Sequence, residues 1–370
     1  MSTTHRYRAE VVGSLLRSPI LLQARRKRQR GELGPAEFGR LENEAVDQAI
    51  ALQERAGIDI VTDGELRREF FLGNLSEKLD GVVRQPGMLF TWRGSETLGR
   101  AAVMQPAPLV VAGKLRRRES LFAGEFAYAS QRAGKPLKIT LPSPLTAAFL
   151  WHPRISSTIY RSPFELFEDF ARILRAEIAD LSRLGCRNIQ IDAPELATLV
   201  DPGVRRFWQA HGIDPERMLS NGVDLINWVA QDCDATRFSL HLCRGNHAGH
   251  WLASGGYAGI SRATFPRLRS YHALLLEYDG HRSGSFDPLG DVPEDMVVVL
   301  GLVSTKSVEL ESAAGLQARI REASRFIPAE RLALSPQCGF SSVATSGAMS
   351  EDTQFQKLKL VADVAHAALP

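Results

Sequence analysis

No stretch of this 370-residue chain approaches the roughly 18 consecutive apolar residues that a membrane-spanning helix needs. Its first residues, MSTTHRYRAE, lack the apolar core of a secretory leader. These two absences lead us to expect a cytoplasmic protein with no membrane partner. A dominant charge is missing too. The 45 Lys and Arg stand against 42 Asp and Glu, a formal net charge of +3, so no broad nucleic-acid footprint is implied. Two local basic runs, Arg25-Arg26-Lys27-Arg28 and Lys114-Leu115-Arg116-Arg117-Arg118, read as a solvated helix face and a solvated loop. Cysteine is scarce: only Cys186, Cys233, Cys243 and Cys338 are present. In a reducing compartment such thiols are not a disulfide framework, so each is packing, a metal ligand or a chemical group.

What is present is a rhythm. Short runs rich in Val, Ile and Leu end abruptly in polar or glycine-rich residues, at 10–16, 58–65, 137–144, 188–195, 238–244, 273–279, 296–305 and 331–339. They do not alternate strictly, which suits strands buried on both faces of a parallel sheet. Helical periodicity fills the gaps, notably at 42–56 before Gly57, at 164–184 before Gly185, and at 224–233, 307–326 and 351–368. Glycine just past a helix end is the usual stop. Strand alternating with helix argues for an α/β fold. Eight such units argue for a single (β/α)8 TIM barrel spanning 1–370. One stretch, 71–135, is far too long for a barrel connection. It reads as a hairpin-like insertion between strands 2 and 3, lying over the barrel mouth.

In such a barrel the C-terminal strand ends meet on one face, where active sites sit. The polar residues there are Gly13-Ser14, Thr62-Asp63-Gly64-Glu65, Ser143, Asp192 with Glu195, His241-Leu242-Cys243-Arg244, Glu277 with Asp279, Thr305-Lys306 and Cys338. His241 and Cys243 are two apart on one strand and so share a side. With Glu277 and Cys338 they make two thiolates, an imidazole and a carboxylate, a good tetrahedral Zn2+ set. An isolated His-x-Cys is weak, since buried cysteines are often small hydrophobes. The convergence of four suitable groups carries the reading. Two thiolates and a carboxylate leave zinc formally negative, a poor electrophile but a good activator of a thiol. That favours thiol alkylation over hydrolysis by zinc hydroxide. Cys186 and Cys233 read as packing. Arg244 and Asn246 either orient ligands or fix a loop. Trp92 and Trp151 either stack on a flat donor or pack.

Taken together, VGS near the start, TDGE, IDAPE, HLCRGN, LEYD and SPQCG resemble the cobalamin-independent methionine synthase family, specifically its C-terminal catalytic barrel. The resemblance extends over about 11–342. It implies a (β/α)8 barrel and zinc on His241, Cys243, Glu277 and Cys338. It further implies that homocysteine sulfur joins the zinc, that Glu65 and Asp192 hold its amino group, and that Gly13 and Ser14 receive its carboxylate. Full-length members carry an additional N-terminal barrel that this chain lacks, and shorter single-barrel relatives are the better likeness. Where those enzymes have a histidine after the seventh strand, this chain has Lys306, which puts a folate donor in doubt. His247, His250 or His281 would be substitutes.

The expected activity is therefore zinc-dependent methyl transfer to the thiol of L-homocysteine, forming methionine. Glu65, Asp192 and Lys306 are its catalytic candidates. Methyltetrahydrofolate or a methylcobalamin protein would supply the methyl group. One alternative is alkylation of another thiol, such as epoxide opening by a sulfonated thiol, for which Arg17, Arg67, Arg68 and Arg244 lie near strand ends. Another is a zinc- or thiol-binding protein that does not catalyse. Pairing into a homo-oligomer is compatible with a barrel, and no apolar patch in the sequence marks it.

Overall fold

The computed structural model describes residues 7–94, 102–104, 107–344 and 349–370. Four strands lie in the insertion: β1 (Leu79–Arg84), β2 (Phe90–Trp92), β3 (Ala102–Met104) and β4 (Leu109–Arg117). Six more form a parallel sheet: β5 (Ile139–Pro142), β6 (Asn188–Asp192), β7 (Arg237–Leu242), β8 (Ala273–Glu277), β9 (Val297–Val303) and β10 (Leu332–Pro336). They stand in sequence order, β5 beside β6 and so on to β10. Two further staves complete the circle through parallel bridges, Ala9 to Leu334, Glu10 to Ile60 and Val61 to Leu137. The result is the eight-stave α/β barrel that the rhythm of the sequence implies.

The first two staves are shorter than the runs 10–16 and 58–65. The reason is local. The Gln53 side chain takes over the ladder at Thr62, accepting from its N–H at 2.9 Å and donating to its carbonyl at 2.8 Å. The chain then turns through Gly64 and Glu65, both at positive φ.

Strands β6 to β10 are buried almost throughout, as continuous apolar runs require in a sheet covered on both faces. The helices pack outside. Helix Pro163–Arg183 starts with Pro163 at its first turn and with Ser162 accepting from the N–H of Glu165, and Gly185 follows it at φ 91°. Its buried stripe, Phe167, Phe170, Ala171, Leu174, Ile178 and Leu181, follows the three- and four-residue spacing of one helix face. Burial of each large side chain there stabilises the fold by roughly 1.5–3 kcal/mol. Leu174→Ala would cost about 2–5 kcal/mol.

The insertion is two nested antiparallel pairs, β1 with β4 and β2 with β3; residues 95–101 and 105–106 lie outside the described residues. It is tied to the barrel's fifth loop by backbone hydrogen bonds in both directions between Arg93 and Trp251. The basic run at 114–118 is strand from Lys114 to Arg117 rather than loop. Arg116 pairs with Asp80 at 2.8 Å, Arg117 with Glu177 and Asp180, and Lys114 with Glu165 at 3.0 Å. Glu165, Glu177 and Asp180 belong to helix Pro163–Arg183 and dock the insertion on it. Among the described residues no helix is long and apolar enough to cross a membrane.

Candidate metal centre and substrate cleft

His241 and Cys243 come from the end of β7, and Cys338 follows β10. Their ligand atoms lie within 4.8 Å of one another and all three residues are buried. The two sulfurs are 3.5 Å apart. Such a pair does not ionise twice unaided. The S–H of Cys338 and the imidazole hold Cys243 below the usual thiol range, whereas the neighbouring sulfur and burial push Cys338 well above it. A bound cation would relieve that conflict. The Gly245 N–H also donates to Cys243 Sγ at 3.1 Å.

The imidazole is oriented from behind. Asp192, at the end of β6, accepts from His241 Nδ1 at 2.9 Å. The same Asp192 oxygen accepts from Gln190 Nε2 at 2.7 Å. Burial would lower the His241 pKa, but the Asp192 contact raises it on balance. Nε2 on the other side of the ring is buried without a hydrogen-bond partner. An orphaned ring nitrogen beside two sulfurs, with a carboxylate on the opposite nitrogen, is the arrangement that protein metal ligands adopt. The residues therefore fit a thiophilic divalent ion.

Glu277 is not in that group. Its Oε2 accepts from the Arg244 N–H at 2.8 Å and its Oε1 from Lys306 Nζ at 3.2 Å, with Arg282 at 3.6 Å. Burial alone would raise its pKa; Lys306 and the Arg244 and Arg282 charges bring it below the ordinary carboxylate range. Lys306 is likewise taken up. It faces Glu277 and Asp279, the latter at 3.9 Å, and lines an adjoining cavity rather than the cleft over the thiols. That ion pair is the physical reason why the structure gathers three of the four expected ligands, and why Lys306 does not reach the reacting space.

The cleft over the thiols holds about 70 Å³ of free space. Gly13, Ser14, Glu65, Asp192, His241, Cys243 and Cys338 all line it. Glu65 sits at φ 55°, a strained setting for a non-glycine residue, held by its N–H donating to Asp63 at 2.9 Å. Its Oε1 accepts from Thr140 Oγ1 at 2.7 Å, and its Oε2 is buried without a partner. A Cβ on Gly13 would lie 2.4 Å from Glu65 Oε1, so glycine is what allows these two staves to approach. Burial raises the Glu65 pKa, Arg68 opposes this, and Asp192 adds to it.

Thr140 was not legible as a site member, whereas Asn246 was expected either to orient ligands or to fix a loop. Thr140 orients Glu65. Asn246 ties three loops together, donating to Thr305 Oγ1 and to the Gly339 carbonyl at 3.0 Å each. Asn246 follows the end of β7, whereas Thr140 lies inside β5 and carries no local signal of a site role. Of the two tryptophans, Trp92 lines the cleft, with its ring 5.3 Å from that of His247. Trp151 is buried outside it, donating to the His211 carbonyl. His247 lines the cleft, while His250 and His281 do not. The arginines near strand ends are engaged elsewhere. Arg17 donates to the carbonyls of Glu65, Arg68 and Ser341, Arg67 meets Asn43, Arg68 pairs with Glu125 at 2.8 Å, and Arg244 with Glu277 and Gly255.

Two buried thiols and an imidazole thus meet on the C-terminal face of the barrel. The catalytic-domain family of the cobalamin-independent synthases is matched over residues 8–366. The chain belongs to this family. An uncharacterised protein of Bacillus subtilis, YxjH, is 35% identical over 366 residues, covering 97% of this chain and 94% of the relative. A 5-methyltetrahydropteroyltriglutamate–homocysteine methyltransferase of Rhodococcus jostii is 24% identical over 337 residues. That match covers 90% of this chain but only 40% of the longer relative. The solved structure of a candidate vitamin-B12-independent methionine synthase from Listeria monocytogenes superposes with a TM-score of 0.73 at 26% identity, covering 98% of both chains. The family is one of methyltransferases.

Proposed function

We propose that the protein is a zinc-dependent methyltransferase acting on the thiol of L-homocysteine to form methionine. The observation that carries this reading is the orphaned His241 Nε2 beside the Cys243–Cys338 sulfur pair, in a cleft with an unpartnered Glu65 oxygen. His241, Cys243 and Cys338 would hold the metal. Zinc bound there lowers the pKa of a substrate thiol and keeps it nucleophilic at neutral pH.

The remaining work falls to the chain. Glu65 Oε2 accepts from the substrate ammonium, which replaces a missing partner with a charge-assisted one. Asp192 adds negative charge at the same end while its other oxygen fixes His241. Gly13 and Ser14 line the place for the substrate carboxylate. Together they orient the thiol for in-line attack on a methyl group. The mouth is aromatic, with Phe71, Trp92 and Phe149 lining it, and suits a flat donor such as methyltetrahydrofolate. An amine leaving group needs a proton. His247 is the group placed to give it; its pKa is lowered by burial and by His250, which makes it the stronger acid once protonated.

A sulfonated thiol fits less well. Among the described residues that line the cleft there is no Lys or Arg, and Glu65 would repel the sulfonate.

The experiment is methionine formation by zinc-loaded protein, with methyltetrahydrofolate or methylcobalamin as donor. Turnover with either supports the reading, and failure of both while another thiol is methylated overturns it. The His247→Gln variant should lose turnover with the folate and retain it with methylcobalamin, whose leaving group takes no proton. Equal loss with both donors would remove His247 from the role of acid.

A further inference from the structure

Arg68 and Glu65 are both buried, yet they do not bond to each other. Arg68 Nη1 and Glu65 Oε1 stand 3.9 Å apart, too far for a hydrogen bond. The Thr140 hydroxyl bridges them. Arg68 Nη1 donates to Thr140 Oγ1 at 3.0 Å, and Thr140 Oγ1 donates to Glu65 Oε1 at 2.7 Å. The direction of this chain is forced. A guanidinium has no acceptor, so the one hydroxyl proton must point at the carboxylate. Oε1 is thereby occupied, and Oε2 keeps its lone pairs, with no protein partner.

The cation is held on its other sides. Arg68 Nε donates to Glu125 at 2.8 Å and Nη2 to the Thr140 carbonyl at 2.9 Å. Its guanidinium carbon lies 4.4 Å from the centre of the Phe122 ring. Phe122 and Glu125 stand at the start of helix Ala123–Ala129 of the insertion. So the insertion reaches the substrate acid through Arg68. The guanidinium stays close enough to favour the ionised carboxylate without forming a fork with it. A direct Arg–carboxylate fork would take both oxygens and compete with an arriving ammonium.

We propose that Thr140 is a specificity-determining positioning residue, which with Glu125 keeps Arg68 off Glu65 and so leaves one carboxylate oxygen free for a substrate ammonium. The inference rests on the amino-acid reading of the cleft above. It adds the device that selects a thiol bearing an amino group over one without it. Thr140 is not among the residues lining the cleft and acts through Glu65.

Calorimetric titration of zinc-loaded protein with two thiols tests this: L-homocysteine and its des-amino analogue, which keeps the thiol and the carboxylate. Both bring the same sulfur, so the ratio of their Kd values isolates the amino group. The wild type should prefer homocysteine by about tenfold or more, the effect of one charged hydrogen bond. Thr140→Val keeps the shape and removes the hydroxyl. It should lose most of that preference through weaker homocysteine binding, with the Kd of the analogue unchanged, and Thr140→Ser should restore it. An unchanged ratio in Thr140→Val would overturn the proposal. So would an equal loss for both thiols, which would mark a merely structural role. Glu125→Gln keeps an acceptor for Arg68 Nε but removes the opposing charge, and it stands in if Thr140→Val folds poorly. It should lower the same ratio by a smaller factor, and no change there would also overturn the proposal. Equal binding of the two thiols by the wild type would sink the amino-acid reading itself, and the inference with it.

Discussion

Two buried polar groups in the same barrel are treated in opposite ways. Near the N-terminal ends of the staves, Lys138 donates to Glu10 at 2.9 Å and to the Val11 carbonyl at 2.8 Å, with both side chains buried. At the C-terminal mouth, His241 Nε2 and Glu65 Oε2 are equally buried and have no partner. The first is a closed pair that completes a core. The second leaves open valences facing a cleft. Since native interiors leave few polar atoms unpaired, the difference separates what the fold keeps for itself from what it reserves for a ligand.

The contrast can be broken by substitution, and the largest effect belongs to the open end. Cys243→Ser should abolish both zinc retention and turnover, read by metal analysis and methionine formation. An active, zinc-free variant would contradict the account. Lys138→Met attacks the closed end. It leaves Glu10 with a buried charge and should cost about 3–5 kcal/mol in urea unfolding, with KM for homocysteine unchanged in whatever folds. Asp192→Asn removes the acceptor behind His241 and should weaken zinc by about 10–100-fold, while thermal stability moves little.

Glu65→Gln is the mildest. It should raise KM for homocysteine by about tenfold, in line with the roughly 1.5–3 kcal/mol of a charged hydrogen bond. The pH dependence has a definite sign. The folded pKa of Glu65 is raised, so its effect on stability is most favourable below the ordinary carboxylate range and is lost as pH rises through the folded value. A bound ammonium favours the ionised form and offsets that loss. Homocysteine should therefore raise the melting temperature more at pH 8 than at pH 5 in the wild type, and this pH difference should shrink in Glu65→Gln.

The sequence alone went far at the level of elements. The expected helix at 351–368 coincides with Glu351–Ala368, and that at 164–184 with Pro163–Arg183, because clear caps and an uninterrupted apolar stripe bound them. The expected stretch 307–326 shortens to Ala313–Ala323, since Ser312 caps its N-terminus and the residues before it run along the barrel mouth. The strand-end rule named His241, Cys243 and Cys338 together. It could not see that Glu277 and Lys306, 29 residues apart, face each other closely enough to pair, because that depends on how neighbouring strand ends converge. Nor could it tell Trp92 from Trp151. Position in the cleft was decided by the docking of the insertion through Arg93 and Trp251, which no local pattern encodes.

The most direct measurement is calorimetric titration of homocysteine into zinc-loaded and metal-stripped protein, in two buffers of different ionisation enthalpy. The account predicts stoichiometric binding with proton release when zinc is present, and binding too weak to resolve when it is absent. Equal binding to both forms, with no proton released, would contradict the claim that this cleft activates a thiol on a metal.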